Sequence, residues 1–99
     1  PPYNRLIGIT LKHKNQRKLD ETAIALAGLM RKRFGTRVLG PEYPATARIR
    51  NYYHKNVLLK IEQKGSIAEA KVILNTIIER MQNHSDFKSF RFIIDVDPV

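Results

Sequence analysis

An α+β fold follows from three features of this 99-residue sequence. Two stretches repeat apolar residues at intervals of three and four, as helices do. Four others are short, rich in β-branched residues or alternating, as strands are. Glycine, proline and polar clusters separate them, so the order is strand, helix, strand, strand, helix, strand. Two interleaved right-handed strand-helix-strand units of this kind close into a four-stranded antiparallel sheet with both helices on one face, the βαββαβ split or ferredoxin-like sandwich.

The first strand is "RLIGITLK", Arg5 to Lys12, with Leu6, Ile7, Ile9 and Leu11. A polar, basic segment "KHKNQRK" follows. Leu19, Ala23, Leu26, Ala27, Met30 and Phe34 then form one helical stripe, ended at Gly35, with Lys18, Asp20, Glu21, Arg31 and Lys32 on the other face. The second strand runs from Arg37 to Gly40 and continues from Ala47 to Arg50. Gly40-Pro41 and Pro44 interrupt it, which suits an edge or a bulge. A turn near Arg50-Asn51 leads into the third strand, Tyr52 to Gln63, where Val57, Leu59 and Ile61 face one way and Leu58, Lys60 and Glu62 the other. Ser66 opens a capping box with Glu69, and Ile67, Ala70, Ile73, Leu74, Ile77, Ile78 and Met81 make the second stripe, ended by "NHSD". Phe90 to Val96 is the last strand, delimited by Pro98.

Ninety-nine residues suit a single domain, and the start at Pro1-Pro2-Tyr3, without methionine, suggests a segment of a longer protein. The absence of cysteine excludes disulfides, thiolate zinc sites and thiol nucleophiles, and fits a soluble protein of the cytoplasm. No apolar stretch approaches the roughly 20 residues of a membrane helix. Lys and Arg number 18 against 9 Asp and Glu, a formal charge of +9. A small domain this basic is drawn to phosphate backbones, so nucleic acid leads the expected partners, although charges of both signs are interspersed on the helices.

Asp95 and Asp97 stand two apart at the end of an apolar run, a spacing that sets both on one strand face. Acid/base or cation chemistry needs further ligands or a cleft, and no other acidic cluster is near in sequence. They read as a strand exit, where carboxylates accept backbone amides or pair with arginine. His13, His54 and His84 are spread over three segments without ligand spacing, Ser66 is a cap, and Ser85 and Ser89 lie in a polar turn. No phosphate-binding glycine loop occurs. The sequence therefore presents no catalytic, cofactor or metal residues.

The basic, aromatic hairpin "RIRNYYHK" remains. Arg48, Arg50, Lys55 and, further along, Lys60 supply attraction for phosphates, and Tyr52 or Tyr53 supplies stacking on an unpaired base. The plainer alternative packs one tyrosine into the core and leaves the cations to keep an edge soluble. Lys12, His13, Lys14, Arg17 and Lys18 form a second basic cluster, which reads first as a solvated connection.

"PPY" opening a strand, "RVLGP" before a proline-containing stretch, "ARIRNYYHKNVLLKI" and a terminal "IDVDP" together resemble the carboxy-terminal domain of the bacterial primosomal protein N′ (PriA) family, over Pro1 to Val99. The side-chain choice is similar to the Bacteroidetes branch. The resemblance implies the last domain of an ATP-dependent replication-restart DNA helicase, which binds forked or single-stranded DNA and helps to position the fork on the motor. It also implies docking of the acidic, hydrophobic tail of single-stranded DNA-binding protein at the start of the last helix. There Ile67 stands where the family has a basic residue, and Lys71 is the contact that remains. ATP and zinc would belong to other domains of such a protein.

Three functions compete on this reading. A DNA-binding, fork-positioning module uses the hairpin. A protein-interaction module takes a partner tail beside Lys71 or braces the helicase motor. An RNA-binding domain of the same fold would prefer RNA through its 2′-hydroxyls.

Overall fold

The computed structural model describes residues 4–44, 48–62 and 65–97. Its elements are β1 (Asn4–His13), α1 (Gln16–Phe34), β2 (Val38–Glu42), β3 (Arg48–Ile49), β4 (Tyr52–Glu62), α2 (Ile67–Asn83) and β5 (Arg91–Val96). Strand order across the antiparallel sheet is β2-β4-β1-β5, with β3 pairing the start of β4. The expected ferredoxin-like sandwich is thus observed, its second strand divided into β2 and β3 along one edge. Pro1 to Tyr3, the Ala47 part of the expected second strand, Gln63 and Pro98 lie outside the described residues.

Alternation along the strands decides the two faces. Ile7, Ile9 and Leu11 of β1 and Val57, Leu59 and Ile61 of β4 are buried under the helices, which contribute Leu19, Ala23, Leu26, Ala27 and Met30 from α1 and Ala70, Leu74, Ile77, Ile78 and Met81 from α2. Each large apolar side chain fully removed from water contributes about 1.5–3 kcal/mol before chain entropy is counted. The even-numbered residues of β1 and β4 stand on the opposite, open face.

Local signals fix the boundaries. Helix α1 starts at Gln16, earlier than its apolar stripe, because the Asn15 side chain accepts from the Lys18 amide at 3.0 Å. It ends at Gly35, whose φ of 62° suits a residue without a Cβ. Ser66 caps α2 by accepting from the Glu69 amide at 3.1 Å. Among the described residues the Glu69 carboxylate does not accept in return from the Ser66 amide, so half of the expected capping box forms. Strand β2 is an edge with a register shift between Leu39 and Glu42. Gly40 sits there at φ 94°, where a Cβ would lie 3.1 Å from the Asn56 carbonyl oxygen. Among the described residues no helix is long and apolar enough to cross a membrane.

Candidate nucleic-acid interface

The hairpin between β3 and β4 is a two-residue turn. Ile49 pairs with Tyr52, and Arg50 and Asn51 between them both have positive φ, 51° and 70°. This is the turn geometry whose twist matches that of paired strands. Asparagine tolerates the left-handed region; arginine does so at a cost of about 1 kcal/mol. The turn carries Arg50 into solvent at the tip.

Behind the tip the two tyrosines part, as neighbours on a strand must. Tyr53 lies on the helix side, packed against the core, with the Arg48 guanidinium 5.2 Å from its ring centre. Tyr52 lies on the open face, half-buried, with the Lys14 ammonium 5.7 Å from its ring. Each side of the hairpin therefore carries one cation set against one aromatic ring. Arg48 also donates to the Asn51 side chain at 3.3 Å, bracing the turn. Among the described residues no carboxylate pairs with Arg48, Arg50 or Lys14.

Lys55 departs from the expected phosphate contact. Its side chain is only 12% exposed and its ammonium lies 3.2 Å from Asp20 of α1. It also sits 3.6 Å from the ring centre of Tyr43. The Tyr43 hydroxyl is 2.6 and 2.7 Å from the two Asp20 oxygens and accepts from Gln16 at 3.0 Å. Lys55 is therefore committed to holding the chain after β2 against α1. Its place on the helix side follows from sharing the Val57 face, but Asp20 and Tyr43 come from distant segments that no local pattern connects to it.

Lys60 is exposed on the open face, paired across β4 and β1 with Leu6. It stands eight residues beyond Tyr52, about 26 Å along the strand. The structure thus brings Arg48, Arg50, Tyr52 and Tyr53 together and leaves Lys60 at the far end of the sheet.

His54 is also on the open face, opposite Lys12. Partial burial, and then the Lys12 charge, hold its imidazole below the ordinary histidine range. Lys12 itself belongs to β1 rather than to a loop. His13 stacks on Phe90 with ring centres 4.1 Å apart, bonds Ser89 at 3.0 Å and accepts from the Asn15 amide at 2.9 Å, fastening the approach to α1. His84 accepts from the Asp86 amide in the turn after α2.

The terminal carboxylates behave as a strand exit. Asp95 is exposed in β5 opposite Gly8, while Asp97 lies past the strand at φ 50°. Asp97 accepts from Arg5 at 2.7 and 3.0 Å and from the Leu6 amide at 3.1 Å. Those bonds, Arg5 first, hold its carboxyl below the usual carboxylate range. The two carboxylates are thus set apart in role: one ties the chain end to β1, the other faces solvent.

On α2, Lys71 is exposed next to Val72, which is 65% exposed. Val72, Ala68, Glu69 and Ile73 form a shallow, mostly apolar patch of about 400 Å³. A second groove of about 350 Å³ lies where the start of α2 meets Phe34, Arg37 and Ile61.

Comparison with known proteins matches this chain to known sequences and to a known fold. A family model described as the primosomal protein N C-terminal domain matches residues 1–99. A replication restart protein PriA from Bacillus subtilis (strain 168) is 28% identical over 100 residues, covering 99% of this chain. The chain spans 12% of that relative's length. A de novo designed protein, Foldit4, superposes with a TM-score of 0.66 at 9% identity, covering 97% of this chain and 98% of its own, a likeness of fold alone. Matched along its whole length, the chain belongs to the primosomal protein N C-terminal domain family.

Proposed function

We propose that this chain is a DNA-contacting, fork-positioning module of a replication-restart protein, with the β3–β4 hairpin as its leading contact. One observation carries the reading: an exposed arginine held on a strained turn, backed on each face by a cation beside an aromatic ring. Arginine and lysine there meet phosphates, and Tyr52 on the open face, rather than the core-packed Tyr53, offers its ring to an unpaired base at a fork. The relative's name, a replication restart protein, supports the same setting. On this reading ATP hydrolysis and zinc binding reside elsewhere in a longer protein, and this chain contributes binding rather than catalysis.

Fluorescence anisotropy with forked, duplex and single-stranded DNA at low and near-physiological salt tests the reading. A preference for the fork that survives added salt is expected, because plain charge attraction falls steeply with ionic strength. Weak binding that ignores DNA structure and vanishes in salt contradicts it. Tighter binding of RNA of the same shape would instead favour an RNA-binding domain.

A second reading rests on the apolar patch of Ala68, Val72 and Ile73 beside Lys71. That surface suits an acidic, hydrophobic peptide such as the tail of single-stranded DNA-binding protein. Calorimetric titration with such a peptide should give saturable heat that Val72→Asp abolishes; absence of heat with the unmodified chain rejects it.

A further inference from the structure

The register of the sheet assembles a basic row that no single segment of the sequence contains. Arg91 of β5 pairs with Lys12 of β1, and Lys12 pairs with His54 of β4. All three stand on the open face, and Lys14 over Tyr52 continues them toward the hairpin. Among the described residues neither lysine nor Arg91 is ion-paired. On this face Asp95 lies four residues along β5 from Arg91, and Glu42 lies opposite Asn56, one step past the row. The end of the sheet nearest the hairpin is therefore cationic, while the middle is neutral, with Thr10, Asn56 and an Ile93 that is 40% exposed.

We infer that the open face of the sheet is a second nucleic-acid surface, on which the backbone of an unpaired DNA strand crosses β5, β1 and β4 along Arg91, Lys12 and His54 and delivers a base to Tyr52. The inference rests on the DNA-binding reading and adds to it a path and a strand type. Charge complementarity selects the occupant: three cations and a half-buried imidazole in one stripe, free of carboxylates, call for a polyanion. Ring access selects a single strand. Tyr52 is half-buried on the open face, with the Lys14 ammonium 5.7 Å from its ring centre, and a base of an unpaired strand is free to stack on such a ring, whereas duplex bases keep their faces stacked on one another. The path ends at the hairpin, so a strand leaving a fork at the tip meets the cations Arg91, Lys12 and Lys14 across the sheet, with the His54 imidazole as a hydrogen-bonding step between them.

The test measures anisotropy of a short fluorescent oligothymidylate, and of a duplex of equal length, with the unmodified chain, Lys12→Gln/Arg91→Gln and Arg48→Ala/Arg50→Ala. Thermal unfolding monitors the fold of each variant, and amide chemical-shift mapping of the unmodified chain provides a readout free of substitutions. The expected result is that Lys12→Gln/Arg91→Gln weakens the oligothymidylate by about tenfold, lowers its salt slope by about 1.4, the value for two single-strand phosphates, and affects the duplex less. Shifts should then spread from Arg91 across Lys12 to His54. If that variant binds the oligothymidylate as the unmodified chain does while Arg48→Ala/Arg50→Ala loses affinity, the sheet track is overturned and the hairpin reading stands. Equal losses on duplex and single strand overturn the strand assignment. No DNA binding by the unmodified chain overturns both readings.

Discussion

Arg50 occupies a backbone position that a sequence chosen for stability alone would give to asparagine or glycine. Its φ of 51° is the left-handed region that side chains with a Cβ enter at a cost, and its own side chain is exposed. A local rule broken at an exposed tip is the pattern of a residue kept for contact. Arg50→Asn should therefore raise stability by about 0.5–1 kcal/mol, seen as a higher unfolding temperature, while weakening DNA binding. A variant that gains neither stability nor loses affinity would remove the argument from strain. Asp97 makes the opposite kind of contribution, an exposed tie between the chain end and β1. Its carboxyl is lowered by Arg5 and the Leu6 amide, so the unfolded chain takes up the proton first as pH falls. The tie is therefore at full strength above the unfolded carboxylate range and is lost as pH drops through the folded value. Asp97→Asn should lower the urea midpoint at neutral pH, and the difference should close below about pH 4. A gap that stays constant to acid pH would show that the carboxylate charge is not what matters.

At the scale of elements, β4 organises the molecule, because it pairs with β1 along one side and with β2 and β3 along the other. Its odd residues serve the core and its even residues the open face. That much is legible in the alternation of Val57 to Glu62, and it correctly sends Tyr52 and Tyr53 to opposite faces. The same alternation places Lys55 on the helix side, but its meaning depends on Asp20, 35 residues away, and on Tyr43, which only the folded chain supplies. Lys55→Met should destabilise by about 1–2 kcal/mol in thermal or urea unfolding and leave DNA affinity within about twofold. A loss of affinity comparable to that from Arg48→Ala would return Lys55 to the interface. The division of the expected second strand into β2 and β3 was signalled by Gly40-Pro41 and Pro44, residues that interrupt a ladder. The start of α1 was not read from the apolar stripe, which begins only at Leu19; the Asn15 cap that sets it precedes the first buried residue by a turn and lay within the segment read as a polar connection.

Across the whole molecule the fold was legible because each apolar period agrees with the face it occupies. The proposed interface was legible only where its residues are neighbours in sequence. Arg48, Arg50, Tyr52 and Tyr53 belong to one hairpin and are found by reading along it. Arg91, Lys12 and His54 meet through the register of three strands, information that composition and periodicity do not hold. Lys60 shows the reverse: close in sequence to the hairpin, it is carried to the other end of a long strand. The formal charge of +9 is thus unevenly used, some cations being spent on Asp20, Glu21, Glu62 and Asp97, while those at the hairpin end of the sheet remain unpaired among the described residues. The measurement that bears most directly on the account is the salt dependence of forked-DNA affinity for the unmodified chain and for Arg48→Ala/Arg50→Ala. Weaker binding to every fork sequence alike, with a slope reduced by about 1.4–1.8, two phosphates' worth, is expected of the double variant. An affinity and slope equal to those of the unmodified chain would contradict it, and would leave the hairpin as a solvated sheet edge.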